Sequence, residues 1–115
     1  MSDWRFMLDD TAMEVGLGTR PMAMPECSIP ERERKEFEDI AETASTFWKV
    51  HIVGEPGKDG SILPIVCKNK TVAAMYFKAK SIEDKAMMHA FIGLLLGYAP
   101  ENIEEFVHRF REANP

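Results

Sequence analysis

The side chains best suited to chemistry in this chain are two cysteines, Cys27 and Cys67, and three histidines, His51, His89 and His108. Nucleophilic catalysis needs a thiol or hydroxyl within hydrogen-bond reach of a base that a third group orients. Cys67 instead lies in the apolar run Ile65-Val66-Cys67, where a small thiol is ordinary packing material. Metal sites place cysteines and histidines at short fixed spacings, and none of these five residues is so spaced. Gly54, Gly57 and Gly60 resemble a phosphate loop, but Asp59 follows Gly57-Lys58 where a serine or threonine opening a helix is required. The expectation is a non-catalytic chain with no metal and no cofactor, and with two free thiols, a single Cys27–Cys67 bridge being the alternative.

His89 is the exception to this bland picture. It stands alone in the apolar segment Ala86 to Leu96, four residues before Gly93 and eight before Gly97. Glycines at that spacing would open one helix face beside it. Tyr98 follows, then the basic cluster His108, Arg109 and Arg111, with Lys78 and Lys80 upstream. Arginine offers a planar fork that suits phosphate or carboxylate. If the last helix folds back, His89, Tyr98, Arg109 and Arg111 become a candidate ligand-binding set. The simpler alternative for the arginines is a helix end, where cations suit the dipole. Eight methionines, among them Met22, Met24, Met75, Met87 and Met88, supply adaptable apolar surface of the kind used in cores and at binding faces.

Which elements would position these groups? Trp4 to Leu8 and Met13 to Leu17 read as two short strands around the turn Asp9-Asp10-Thr11, an N-terminal hairpin. Pro21, Pro25 and Pro30 mark a loop. Ser28-Ile29-Pro30-Glu31 fits a capping box opening the first helix. Its apolar stripe is Phe37, Ile40, Ala41, Ala44 and Phe47 or Trp48, and its charged face carries pairs such as Glu31 with Lys35. The period then changes to two over Trp48 to Val53. Ile62 to Lys68 and Thr71 to Lys78 read as further strands joined by the turn Lys68-Asn69-Lys70. Pro64 cannot donate to a ladder, so it calls for an edge position or a bulge; either the N-terminal strands rearrange the strand order, or Pro64 lies where the pairing has not begun.

Two helices end the chain. Ser81 to Asp84 carries the cap signal for the first, which is apolar nearly all round and so must be covered on more than one side. Gly97 ends it, Pro100 opens the second, and Ile103, Phe106, Val107 and Phe110 form the second helix's stripe. Gly93 implies a close neighbour.

The predicted fold is thus a single α+β domain spanning residues 1–115. A mainly antiparallel sheet of three to five strands carries an N-terminal helix and a C-terminal helical hairpin on one face. With 14 basic and 19 acidic residues interspersed, the net charge of −5 disfavours nucleic acid as a partner. The longest apolar run is too short to span a membrane, and a cytoplasmic location is the expectation. The expected function is a non-catalytic protein-interaction module: a small inhibitor, adaptor or accessory subunit that binds a larger protein. The alternative is a small-molecule or nucleotide-binding module, homo-oligomeric, with an anion-contacting site near the C-terminal helices.

Overall fold

The computed structural model describes residues 3–114. Helices α1 (Trp4–Leu17), α2 (Arg34–Trp48), α3 (Lys70–Lys80), α4 (Lys85–Leu95) and α5 (Pro100–Ala113) are combined with strands β1 (Met22–Ala23), β2 (His51–Pro56) and β3 (Ile62–Cys67). The strands form one antiparallel sheet in the order β1-β3-β2. The α+β class, the antiparallel sheet, the N-terminal helix and the C-terminal helices are as expected.

Two segments expected as strands are helices. Residues Trp4 to Leu17 form one continuous helix in place of a hairpin. Its buried residues, Trp4, Leu8, Ala12 and Val15, recur at spacings of four, four and three, which is one helical stripe. Asp3 caps it by accepting from the Arg5 amide, and Asp9-Asp10-Thr11 lies in its interior. Likewise Thr71 to Lys78 belongs to α3. Asn69 is its N-cap rather than a hairpin turn, accepting from the Val72 amide at 3.0 Å.

The capping box at Ser28 is not formed. Ile29 exchanges both backbone hydrogen bonds with Ile62, at 2.9 and 2.8 Å, which holds the chain extended as far as Pro30. A single 3-10 turn at Glu31–Glu33 then leads into α2, and Glu31 pairs with Arg34 instead of Lys35.

Pro64 sits in the central strand. Its missing donor harms nothing, because of where that donor would point. The backbone groups of Ile62 and Val66 face the β1 side of β3, pairing with Ile29 and Ala23. Pro64 faces the same side between those pairings, where residues 24–28 form no strand pairing with β3. On its other side it lies opposite Gly54 of β2.

Alternation along β3 divides the core. Ile62 and Val66 pack with α1 and α2, around Leu8, Val15, Phe37 and Ala44. Ile65 and Cys67 point the other way, to Met22, Ala73 and Tyr76 and to Leu95 of α4. The helices therefore cover both faces of the sheet rather than sharing one: α1 and α2 on one side, α3 and α4 on the other. Gly54 is needed on the first side, because a Cβ there would lie 2.6 Å from Ile62 Cγ2 and 2.9 Å from Phe37 Cε2. Crossed ties join the layers. Lys68 Nζ donates to the Val15 and Gly18 carbonyls at the end of α1, and Arg20 Nε donates to the Leu96 carbonyl at the end of α4. Cations there meet the negative end of each helix dipole.

The C-terminal pair is close to expectation. Gly97 has φ +81°, and the amides of Gly97 and Tyr98 donate to the Leu94 and Gly93 carbonyls, a Schellman ending. The cap of α4 is Asp84 rather than Ser81; its carboxylate accepts from the Ala86 amide at 3.0 Å and the Met87 amide at 3.4 Å. The close neighbour at Gly93 is α5: a Cβ there would lie 3.2 Å from Ile103 Cγ1. Helix α5 packs on α4 and buries none of its side chains fully.

Candidate functional site

Helix α4 separates two concave surfaces. The first lies between α3 and α4. Residues Met75, Lys78, Ala79 and Ile82 fall on one face of α3 and the turn after it, since their spacings of three, one and three keep helical phase. From α4 come Phe91, Leu94 and Leu95. Together they enclose a groove of about 450 Å³. Ala79 and Leu95 form a buried floor. Met75, Phe91 and Leu94 stand along it with 51%, 45% and 52% of their surface exposed. Lys78 is the one polar lining residue, and its ammonium makes no ion pair among the described residues.

A polar clamp fixes the α3 wall to the sheet. Tyr76 donates from its hydroxyl to the Glu55 carboxylate at 2.5 Å, and Lys80 Nζ lies 2.8 Å from the same carboxylate. Burial pushes the Glu55 carboxyl upward, but the bonds from Lys80 and Tyr76 outweigh it, and the net shift is downward. Burial raises the Tyr76 phenol, and the adjacent Glu55 charge adds to that. Glu55 thus stays an anion and Tyr76 a donor at neutral pH, which keeps α3 seated on β2.

The second surface is a cleft of about 370 Å³ between α4 and α5. His89, Ile92, Gly93 and Leu96 line it from α4, with Tyr98, Asn102, Ile103 and Phe106 opposite. His89 stands edge-on to Phe106, with ring centres 5.5 Å apart, and tilted against Phe110 at 5.4 Å. An imidazole, a phenol and an amide could orient a flat polar ligand here. The lining contains no carboxylate, thiol, lysine or arginine.

Of the four residues singled out from sequence, His89 and Tyr98 share this cleft. Arg109 and Arg111 do not line it. Arg109 pairs with Glu105 one turn back along α5, and Arg111 reaches Asp84 at 3.2 Å, tying α5 to the cap of α4. The remaining basic residues disperse too: His108 pairs with Glu112 at 3.1 Å, Lys80 with Glu55, and Lys78 borders the groove.

Both thiols are free. Cys67 is buried in β3, where desolvation pushes its pKa up to about 11, and partial burial raises Cys27 as well. Neither is a ready thiolate at neutral pH. Among the described residues no three histidines, cysteines or carboxylates gather in a metal-binding cluster, and no helix is long and apolar enough to cross a membrane.

The groove is not visible in the sequence, because residues 71–78 of its α3 wall have the pattern of a strand. Asn69 followed by Ala73, Tyr76 and Ala79 is the signal that could have found it. Comparison with models of protein families, with curated proteins and with solved structures gives no match.

Proposed function

We propose that this chain is a non-catalytic interaction module that binds a larger protein through the groove between α3 and α4. The observation that carries this reading is the apolar furrow itself. Met75, Phe91 and Leu94 stay half-exposed beside a buried floor in a chain with a 45% apolar composition and two internal core clusters. Contiguous exposed apolar surface of this kind marks an interaction site, whereas single exposed apolar residues need no explanation. Methionine and phenylalanine are suited to it, being large and adaptable. Burying what remains exposed of each side chain is worth about 1 kcal/mol, so several anchors acting together suffice for a specific contact.

The test is quantitative affinity capture with the tagged chain and its Phe91→Asp and Leu94→Asp variants, each melted in parallel. A partner retained by the parent and lost by both variants, at unchanged melting temperature, supports the reading. A partner retained equally by all three refutes it.

A second reading is favoured by the His89–Tyr98–Asn102 cleft, which has the size and mixed polarity of a small-molecule site. With Arg109 and Arg111 engaged elsewhere, a neutral aromatic ligand fits it better than a nucleotide. Native mass spectrometry separates the two readings: retained extra mass that is lost in His89→Ala supports the cleft.

A further inference from the structure

We infer that the occupant of the α3–α4 groove is an amphipathic α-helix of a partner protein whose flanks carry acidic residues. This rests on the docking reading above and names the partner's chemistry.

Charge is the first argument. The two helices that build the groove carry Lys70, Lys78, Lys80 and Lys85 and not one aspartate or glutamate, in a chain that holds 19 acidic residues. Lys80 is engaged by Glu55, but Lys78 stands on the rim. The unpaired ammonium of Lys78 at the groove's edge, on helices that carry no carboxylate of their own, attracts an acidic flank.

Shape is the second. A furrow between two helices accepts the ridge of a third. A peptide adding as a β-strand would need unpaired backbone groups along a sheet edge, whereas both walls here are helices with internally bonded backbones. A bilayer surface cannot fill a concavity whose floor, Ala79 and Leu95, is buried.

The chain also contains an example of such a helix. On the other flank of α4, α5 presents Ile103, Phe106, Val107 and Phe110 with Glu101, Glu104, Glu105 and Glu112 around them. A partner helix of the same design, with anchors at i, i+3 or i+4 and i+7, would make α4 the middle of a three-helix layer.

The probe is a phage-displayed library of random peptides about 18 residues long, selected against the full chain. The expected winners carry helical apolar spacing with Asp or Glu on the flanks. Their affinity should fall about tenfold or more on Phe91→Asp, weaken with added salt, and drop on Lys78→Glu. Leu94→Gln serves as the second variant if Phe91→Asp lowers the melting temperature. Winners that depend on the groove residues but are basic-flanked or non-helical overturn this inference and leave the groove as a docking site. Winners indifferent to both groove variants, or no enrichment at all, overturn the docking reading as well. Flotation on phosphatidylserine vesicles that is abolished by Phe91→Asp would assign the groove to a membrane surface and overturn the partner helix.

Discussion

Removing one oxygen atom from the clamp beneath α3 tests how this helix is held. Tyr76→Phe keeps the buried ring and deletes the donor to Glu55. A hydrogen bond to a charged group contributes about 1.5–3 kcal/mol. The remaining Lys80 contact keeps the carboxylate from being stranded, so the lower half of that range, about 2 kcal/mol, is expected. For a chain of 115 residues the unfolding entropy is about 0.24 kcal/mol/K, which makes the loss roughly 8 °C in melting temperature at pH 7. The pH dependence follows from the sign of the Glu55 shift. Its folded-state pKa lies below its unfolded value, so its contribution is complete above the unfolded carboxylate range and is lost as pH falls through the folded pKa. The gap between parent and variant should therefore be full at pH 7 and shrink below about pH 4.3. Urea denaturation of both proteins at pH 7, 5 and 3.5 measures it. A variant as stable as the parent at pH 7, or a gap that stays constant down to pH 3.5, refutes the reasoning.

Other positions give independent outcomes. Gly54→Ala should destabilise by about 1–3 kcal/mol through overpacking against Ile62 and Phe37, although alanine is the better residue in an open strand; denaturant midpoints show it. Asp84→Ala removes the cap of α4 and the partner of Arg111 and should cost about 1–2 kcal/mol, with greater hydrogen exchange over α4 and α5 as the readout. Lys49 ends α2 with φ +57°, so Lys49→Gly should stabilise by about 0.5–1 kcal/mol in a thermal melt. In a thiol-labelling time course at neutral pH, Cys27 should react first and Cys67 only as fast as the protein opens.

The parts of the fold legible in sequence are those with both a periodic stripe and clear punctuation. Helix α2 showed Phe37, Ala41 and Ala44; α4 and α5 were bracketed by Gly97 and Pro100. Helix α1 is obscured in the sequence because Asp9-Asp10-Thr11 has the chemistry of a turn. Only the wider spacing of Trp4, Leu8, Ala12 and Val15 reveals that the backbone continues through it as a helix. In α3, the β-branched and aromatic residues Thr71, Val72, Tyr76 and Phe77 argue for a strand by propensity, and tertiary packing of Ala73, Tyr76 and Ala79 overrides them. Half of the candidate cleft was foreseeable, since His89 and Tyr98 follow from the α4–α5 hairpin. Arg109 and Arg111 fall outside the stripe set by Ile103, Phe106 and Phe110, and helical phase turns them away from it. The groove depends on α3 being a helix, and so no reading that made residues 71–78 a strand could reach it.

The strand order has a further consequence for how the chain comes together during synthesis. Met22 pairs with Cys67, 45 residues later, and Ala23 with Val66. At translation rates of about 5–20 residues per second, β1 emerges several seconds before the strand that must hold it. Helix α1 can meanwhile meet α2, but the sheet surface on which both rest does not yet exist. Closing that long loop is a late step that carries an entropic cost. Until it closes, the apolar side chains of β1 and of the first two helices are open to whatever else binds exposed hydrophobic chain in the cell.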